Sequence, residues 1–416
     1  MNSRTALEEA PLDAMQRLLE PENRRNPYPF LEWLRTHDPV HRTTTGSYLL
    51  SRHADVSHVL QESGTVFVSP DRSMLEARYP EALRRRSVRI FAGSIALTNP
   101  PEHTRLRKVL SRDFTARRVD VLRPRIARIC DRLLDEVAEP LLDGETVDLH
   151  RTVAEPLSVA TIADLLGVPE GDRAWLSSLV EGVLSAHPEA PDEVLAVADK
   201  HCSDMEDYLG ALIAQRRRDP RDDLVTALAK KVGEGTEELE DSELIPMIWA
   251  LWCAGFKTSA AGISNGVLAM LENPQQLTWL RKDQGDVAAF VNETLRYDPP
   301  TTITPFLRFA TRDVEFPGGT VPAGSSVRLL LGAANRDPEV FPDPDRFDPA
   351  RETKASLGFA GGIHFCVGAG LARAELGISL PRIHARFPRL AAASEPVWSD
   401  AVFHHMVREL PLVVKG

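Results

Sequence analysis

Apolar side chains recur three and four positions apart along much of residues 119–240, a spacing that places them on one face of an α-helix. In the first such run they are Val121, Ile126, Ile129, Leu133 and Val137. Glycine and proline interrupt the pattern near residues 144, 167–169, 188–191 and 219–220. We find no internal repeat and no long low-complexity linker, so the pattern predicts one continuous, mainly helical domain.

Shorter patterns place the remaining elements. An amphipathic run predicts a helix over Tyr28–His37, and alternation around a Thr-Gly turn predicts a small hairpin in residues 40–50. By the same signals we expect helices to begin near residues 52 and 99 and to cover 286–297, a strand at 303–308, and a hairpin turn at 318–324. The expected fold class is mainly α with a small β part, with residues 1–24 as a lead-in and residues 25–416 as a single large domain.

The most apolar stretch of the chain covers residues 243–272 and reads as one long helix. A helix that is apolar on every side is buried. Gly255, Gly262 and Gly266 weaken it intrinsically. Small residues in the middle of a helix also permit the close approach of a flat partner, or a local distortion of the helix.

Composition narrows the class of protein. The 416-residue chain is 43% hydrophobic, as expected of a globular protein with a sizeable core, and its formal net charge is −11. It therefore lacks the basic balance that nucleic-acid binding favours. The four scattered cysteines show no C-x-x-C spacing, which argues against a disulfide framework or a zinc site and fits a reducing cytosol. The polar N-terminus has no signal-like segment, so we expect a cytoplasmic protein without a membrane anchor.

One cysteine stands at the end of a glycine-rich loop. Residues 359–368 read F-A-G-G-I-H-F-C-V-G and lead directly into a helix-forming run. A helix that begins just after Cys366 points amide N–H groups at its sulfur, which favours thiolate over thiol. Such a thiolate is a soft ligand suited to haem iron. Taken alone, a cysteine such as Cys366 is more often a small buried residue in a turn.

The neighbouring residues favour the first interpretation. F-x-x-G-x-H-x-C-x-G followed by A-x-L-A-R-x-E resembles the haem-binding loop of the cytochrome P450 family. Four further segments resemble that family's motifs in the same order along residues 25–415: P-P-E-H-x-R-L-R, A-G-x-x-T-S, E-x-x-R and the proline-rich stretch before the cysteine. Ala360 departs from the pattern, which has glycine there. A methyl group fits if φ is negative, and we expect that conformation.

The resemblance implies haem b, with Cys366 as the iron ligand. His103, Arg107 and Arg308 would face the haem propionates, because enclosed carboxylates need positive or hydrogen-bonding partners. The implied cofactor-binding set also includes Phe359, His364 and Gly368.

The resemblance also places Ala254, Gly255, Lys257 and Thr258 beside the site where dioxygen is reduced. Thr258 would hydrogen-bond the oxygen and help to deliver protons. Lys257 stands where the family has an acid, and an ammonium group is a poor proton acceptor. Three accounts stay open. In the first, Lys257 pairs with a nearby acid and still organises the water chain. In the second, protons arrive by another route, such as a substrate hydroxyl, and in the third the enzyme favours oxidative coupling or ring closure. We prefer the first two because Thr258 is present.

Other site residues follow from the resemblance. Glu293 and Arg296 share one helical face, and Arg346 is expected to complete them as a buried network that supports the haem loop without a catalytic role. The implied substrate pocket includes Ala250, Cys253, Ile303, Thr304 and Phe403. We interpret His404 and His405 as surface residues.

Two basic segments have surface interpretations. We interpret residues 83–89 as a solvated face rather than a contact to an acidic substrate. On an acidic protein, the basic group Lys108, Arg112, Arg117 and Arg118 is either a solvated face or a docking site for an acidic electron-transfer partner.

The implied function is reductive activation of dioxygen at a Cys-ligated haem and oxidation of a hydrophobic small molecule, a natural-product intermediate, by hydroxylation, epoxidation or oxidative coupling. Electrons would come from NAD(P)H through a separate ferredoxin and ferredoxin reductase, and we expect a monomer. Two alternatives stay open. Lys257 suggests a haem-thiolate enzyme that uses peroxide directly. The other is a non-enzymatic haem-binding partner protein, against which the presence of both Cys366 and Thr258 argues.

Overall fold

The structure is a computed structural model that describes residues 14–70, 72–78, 80–184, 190–232, 239–281 and 284–415. Helices dominate it, and the predicted fold class, mainly α with a small β part, is confirmed. Helices α1 to α19 span Ala14–Leu18, Pro21–Arg25, Tyr28–His37, His53–Gln61, Arg72–Arg78, Arg86–Ala92, Glu102–Asp113, Ala116–Glu136, Ala138–Leu142, Glu155–Leu166, Glu170–Ser178, Val180–Leu184, Asp192–Arg218, Leu224–Ala229, Asp241–Gly255, Lys257–Glu272, Gln284–Tyr297, Leu331–Ala334 and Ala369–Arg386.

The strands are short and pair in small sheets. Strands β1 to β12 span Val40–Arg42, Tyr48–Leu50, Phe67–Val68, Val147–Asp148, Arg308–Ala310, Val314–Phe316, Gly319–Val321, Ser326–Leu329, Leu390–Ala392, Val397–Trp398, Val407–Glu409 and Pro411–Val414. The largest sheet has the order β1-β2-β8-β5-β3, in which only the β2–β8 pairing is parallel. The predicted hairpin in residues 40–50 is its β1–β2 edge.

The centre of the fold is a close crossing of α16 and α19. A Cβ atom added at Gly266 would lie 2.8 Å from Leu380, and one added at Gly262 would lie 3.3 Å from Leu376. These glycines therefore let the two helices approach more closely than larger residues would allow. Since α19 begins just after Cys366, the crossing joins the cysteine loop to the long apolar segment.

The prediction of one unbroken helix over residues 243–272 is wrong. Phe256, with φ −119° and ψ −45°, separates α15 from α16. Gly255 ends α15 against Ile162, where a Cβ would come within 2.7 Å. By length and composition the stretch Asp241–Glu272 could cross a membrane, but 61% of its most apolar window is buried inside the fold. Its apolar character is accounted for by packing in the core.

Two β predictions also need correction. Residues 303–307 are not strand; β5 begins only at Arg308, because the side chain and backbone of Thr304 bind Leu329 and Pro305 has no N–H to donate. The turn of the β6–β7 hairpin lies before Gly319, which is already in β7, and Gly324 (φ +78°) belongs to the next turn.

The division between lead-in and domain at residue 24 stays a prediction. Ala14 and Leu18, from the predicted lead-in, are buried in the same cluster as Phe30 and Leu34. The described part of the lead-in is therefore packed against the domain.

Candidate functional site

The cysteine loop is held by its own backbone. The N–H of Cys366 donates to the carbonyl of Phe359 at 3.1 Å, and the N–H of Phe365 donates to that of Gly362 at 3.1 Å. Gly362 has φ +62°, and a Cβ there would lie 1.8 Å from the carbonyl oxygen of Leu60. Only glycine fits this position, so the loop packs directly on the end of α4.

Cys366 differs from the other cysteines in its surroundings. It is exposed, whereas Cys130, Cys202 and Cys253 are buried, and burial raises the pKa of Cys130 and Cys202 to about 12. The surrounding protein partly desolvates the sulfur and raises the pKa of Cys366 too, but the N–H groups of Gly368 and Ala369 and the guanidiniums of Arg107 and Arg373 lower it. These donors favour a thiolate once a metal takes the proton's place.

The expectation for Ala360 is wrong. Its φ is +56°, in the left-handed region that favours glycine. Ala360 therefore adopts the conformation that favours glycine, the residue that the family motif has at this position. The cost of this conformation for an L-residue is roughly 1–2 kcal/mol.

Replacing Ala360 with glycine should therefore raise the free energy of unfolding by about 1 kcal/mol, since the relief of strain exceeds the extra unfolded-state entropy of glycine. Urea unfolding of the purified protein measures this. Ala360→Val is the matched control and should be destabilised, because a β-branched side chain fits a positive φ poorly. If Ala360→Gly is no more stable than the parent protein, the inference that the backbone of Ala360 is strained is wrong.

Four basic side chains converge beside the loop: His103 and Arg107 from α7, Arg308 from β5, and His364. The rings of His103 and His364 have centroids 4.4 Å apart. Burial, together with the neighbouring arginines, lowers the pKa of His103 to about 4 and of His364 to about 2, and burial lowers that of Arg308 to about 10. Both imidazoles are therefore neutral at pH 7 and can donate one N–H each.

This cluster contains donors but no anion. The side chain of Arg308 donates only to the carbonyl of Leu307 within the described chain, and Nδ1 of His103 and Nε2 of His364 are buried without a hydrogen-bond partner. No described carboxylate pairs with Arg107 or Arg308. Buried charges without a counter-charge are costly. The cluster therefore fits a ligand that brings two carboxylates, as haem does, next to a cysteine.

The residues expected on the oxygen side of the haem, a side that we call the cleft, lie at the break between α15 and α16. Ala254 is exposed and Thr258 is half-buried, although most of their neighbours are buried. The hydroxyl of Thr258 donates to the carbonyl of Ala254 at 2.9 Å. The predicted residues Ala254, Gly255 and Thr258 thus lie together at the distortion of the central helix.

Lys257 has no acidic partner among the described residues, so the structure does not support the account in which it forms an ion pair. Its ammonium contributes instead to lowering the pKa of His150, which is already lowered by burial. Nδ1 of His150 lies 2.9 Å from the hydroxyl of Ser264, on the same helix as Lys257.

A buried acid that was not among the predicted site residues lies behind this helix. Glu375, on α19, is 1% exposed, and burial raises its pKa to about 8. The hydroxyls of Ser259, Thr161 and Ser158 oppose this shift, yet neither carboxyl oxygen has a hydrogen bond of good geometry. The acid is consequently protonated at neutral pH.

This pKa predicts that stability falls with rising pH. The folded-state pKa of about 8 lies above the ordinary value of 4.5, so the contribution of the neutral acid is full below pH 4.5 and is lost as pH rises through 8. Glu375→Gln should remove this dependence and exceed the parent in unfolding free energy by on the order of 3 kcal/mol at pH 7. Urea unfolding at pH 5, 7 and 8.5 measures it. If the unfolding free energies of the parent and Glu375→Gln change with pH in parallel, the raised pKa of Glu375 is refuted.

The prediction that Arg346 completes the Glu293–Arg296 pair is wrong. Arg296 binds both oxygens of Glu293 at 2.7 and 2.8 Å, and both side chains are fully buried. The third member is Arg351, whose Nε lies 3.4 Å from Glu293 Oε1 and whose fork reaches the carbonyls of the preceding loop. Arg346 is 57% exposed and pairs with Asp343 and Asp348.

The predicted pocket residues separate into two groups. Ala250, Thr304 and Phe403 are half-buried. Cys253 and Ile303 are 5% and 1% exposed and belong to packed hydrophobic clusters, and their assignment to the pocket stays a prediction.

The surface interpretation of His404 and His405 is also wrong. His405 is 6% exposed, its Nδ1 lies 2.7 Å from Asp298 Oδ1, and its ring stacks on Trp398. The hydroxyl of Tyr28 donates to the same carboxylate at 2.6 Å. His404 is half-buried, and burial lowers its pKa to about 4.

The basic segments differ from each other. Arg85 and Arg86, in residues 83–89, form ion pairs with α13 and are not simply solvated. In the other group Lys108, Arg112 and Arg117 are exposed, and Arg118 lies 3.3 Å from Asp222.

Comparison with known proteins gives a consistent picture. A family model described as Cytochrome P450 matches residues 24–396. The chain is 43% identical to cytochrome P450 BJ-3 of Bradyrhizobium diazoefficiens, and the alignment covers 96% of each chain. It is 36% identical to cytochrome P450 monooxygenase PikC of Streptomyces venezuelae, over 93% of this chain and 91% of PikC. Among solved structures, it resembles the myxobacterial cytochrome P450 CYP267B1 in complex with myristic acid, with a TM-score of 0.86 and 32% identity over 96% of this chain and 99% of that chain. It also resembles P450BioI in complex with an acyl carrier protein ligated to hexadec-9Z-enoic acid, with a TM-score of 0.85 and 29% identity over 95% of this chain and 99% of that chain.

Proposed function

This chain belongs to the cytochrome P450 family, and from that premise we propose that Cys366 ligates the haem iron while His103, Arg107, Arg308 and His364 hold the propionates. The observation that carries the proposal is the cluster of four donors without a carboxylate of its own among the described residues. Phe359 and Gly368 frame the sulfur through the backbone of the loop.

The chain is a haem-thiolate monooxygenase of secondary metabolism that uses haem b and electrons from NAD(P)H delivered by redox partners. Bound haem supplies the reductive activation of dioxygen that places one oxygen atom in an organic substrate. The residues of the chain orient the reactants, exclude water and handle protons.

We assign proton delivery on the cleft side to Thr258 and not to residue 257. The Thr258 hydroxyl holds its proton on the Ala254 carbonyl, and a χ1 rotation would turn it toward the cleft. A lysine at position 257 is a poor proton acceptor compared with the acid that the family motif has there. Protons therefore pass to Thr258 from solvent or from a substrate hydroxyl.

The partner that fits the exposed basic group Lys108, Arg112 and Arg117 is a small acidic electron carrier, a ferredoxin supplied by its reductase. The protein acts as a cytoplasmic monomer in this proposal. A hydrophobic natural product is the expected substrate class, because Phe91 contacts Trp249 and Phe306, which lie close in sequence to Ala254 and Arg308 and form an aromatic wall.

Reconstitution tests the proposal. The holoprotein with NADPH, a ferredoxin and its reductase should oxidise a probe such as 7-ethoxycoumarin, and leaving out the ferredoxin should stop turnover. Thr258→Ala should lower the yield of product per NADPH by about tenfold and release more hydrogen peroxide, while Lys257→Gln should leave this yield within twofold.

The absence of an acidic partner for Lys257 among the described residues favours one second candidate, a haem-thiolate enzyme that uses peroxide. Equal turnover with hydrogen peroxide alone, without NADPH or ferredoxin, would favour it. No turnover with either oxidant, in a protein that holds haem, would favour the non-enzymatic alternative.

A further inference from the structure

The short helix α6 is attached at its start to a carboxylate from a distant helix. Asp199, on α13, accepts the backbone N–H of Ser87 at 2.9 Å and the Ser87 hydroxyl at 2.7 Å, both on Oδ1. Its other oxygen lies 3.5 Å from Arg85. Ser87 is 1% exposed, so the two hydrogen bonds to Oδ1 are shielded from water. A hydrogen bond to a charged acceptor is stronger than one to a neutral acceptor.

Neighbouring contacts extend this attachment along one face of α13. Arg85 also pairs with Asp192 at 2.5 Å, and Arg86 reaches Ser203 at 2.6 Å and Glu206 at 3.0 Å. Val88 of α6 and Leu195 of α13 form a small buried cluster. The polar partners on α13 stand seven, four and three residues apart, which keeps them on one side of the helix.

Near the end of α6, Phe91 lies four residues after Ser87 and contacts two aromatic rings. Its ring contacts Trp249 on α15, with centroids 5.8 Å apart, and Phe306, with centroids 5.4 Å apart. Trp249 precedes Ala254 by five residues, and Phe306 precedes Arg308 by two. Phe91 therefore bridges the two segments that we assign to the oxygen side and the propionate side of the site. The rings of Phe91 and Phe306 are half-buried, so they are available to a ligand.

We propose that Asp199 is a positioning residue for the substrate pocket: by binding the start of α6 it keeps the Phe91 ring between Trp249 and Phe306, and so sets which ligands can enter. The proposal rests on the proposed function, because the cleft beside Phe91 is taken as the haem site. Under this proposal α6 and α13 move together, because Asp199 joins them. A bulky ligand must move Phe91, which requires breaking the contacts of Asp199, whereas a small ligand passes without moving it.

Ligand-binding kinetics of the holoprotein test this proposal. The probes are 4-phenylimidazole, which is bulky, and imidazole, which is small; both bind haem iron and change its spectrum. Asp199→Ala should speed the association of 4-phenylimidazole about tenfold, because the start of α6 loses two hydrogen bonds to a charge, and leave that of imidazole within twofold. Asp199→Asn should lie between the parent and Asp199→Ala, since an amide oxygen accepts the same two hydrogen bonds but carries no charge.

A matched control is Asp204→Ala, on the same helix, whose described side-chain contact is the pair with Lys200. It should leave both probes unchanged. Unchanged 4-phenylimidazole kinetics in Asp199→Ala, or an equal change for both probes, would overturn the proposal. If Asp199→Ala fails to fold, Ser87→Ala replaces it, because this variant loses one of the two hydrogen bonds. It should speed 4-phenylimidazole about threefold and leave imidazole unchanged, and an unaltered ratio of the two rates would overturn the proposal.

Hydrogen exchange separates this proposal from the proposed function. The amides of residues 86–92 should exchange about tenfold faster in Asp199→Ala than in the parent, with or without haem. If the protein shows no thiolate-type haem spectrum but the exchange rises as expected, the proposed function fails while the attachment of α6 to Asp199 stands. Unchanged exchange overturns the attachment itself.

Discussion

Replacing Cys366 with alanine should abolish the thiolate-type carbon monoxide spectrum of the dithionite-reduced protein and bring turnover to the limit of detection. Three of the four cysteines are buried, whereas Cys366 is exposed as a residue and its sulfur receives the N–H groups of Gly368 and Ala369. Loss of the sulfur removes the electron-rich ligand, while the donor cluster beside it remains. The variant should therefore still bind some haem, with an altered spectrum.

The matched control is Cys130→Ala, which removes a buried thiol of α8 and should leave the spectrum unchanged. Far-UV circular dichroism should show that both variants are folded. A thiolate-type band that persists in Cys366→Ala would mean that another residue ligates the iron. A histidine-type band in the parent protein would weaken the monooxygenase assignment of this site.

Removing Glu293 should have the largest effect on stability, with a loss of about 3–5 kcal/mol in the free energy of unfolding. The carboxylate is fully buried and binds Arg296, the backbone N–H of Asp348 and Arg351. Glu293→Ala leaves the Arg296 guanidinium buried, with the carbonyl of Asn335 as its one remaining described hydrogen-bond acceptor beside the rings of Tyr297 and Phe341. Urea unfolding gives the free energy, and haem content should fall with it, because the loop before Cys366 depends on this network.

The arginine pair provides the decisive comparison. Arg351→Ala should cost about 2–3 kcal/mol, since it removes hydrogen bonds from a charged group to Glu293 and to loop carbonyls. Arg346→Ala should leave the unfolding midpoint nearly unchanged, because that side chain is mostly in solvent. The opposite order would restore the assignment made from the sequence.

The sequence predicted those parts of the candidate site whose residues lie within one short loop or motif. Cys366 lies in one short loop whose glycines and following helix can be read directly from the residues. His103, Arg107 and Arg308 come from separate segments, but each lies in a recognisable motif. The side chains that the structure brings together beside the loop are the ones that the sequence indicated.

What the sequence did not predict depends on tertiary contacts. Both Arg346 and Arg351 lie in the same proline-rich stretch, and only the path of the backbone decides which of them turns back to Glu293. The sign of φ at Ala360 is likewise set by the loop around it. Asp298 and His405 are 107 residues apart, so nothing local marks them as a buried pair.

Glu375 could have been found from its context. It stands in the A-x-L-A-R-x-E segment after the cysteine, on a helix whose residues four positions before and after it, Leu371 and Ser379, are buried. An acidic residue on the inward face of a helix indicates a buried carboxyl group, which is rare in proteins. In the sequence this glutamate was noted only as part of a motif.

The close crossing of α16 and α19 has a consequence for redesign and for the evolution of new substrate ranges. At Gly266 a single added methyl group meets Leu380, so this side of the molecule tolerates almost no change in volume. The wall around Phe91 is instead attached largely by contacts between α6 and α13 in which Asp192 and Arg86 are exposed and Asp199 is partly exposed, so these contacts can be exchanged with less disturbance of the core. Mutant libraries directed at α6 and its partners on α13 should therefore yield many more folded variants with altered selectivity than libraries directed at α16.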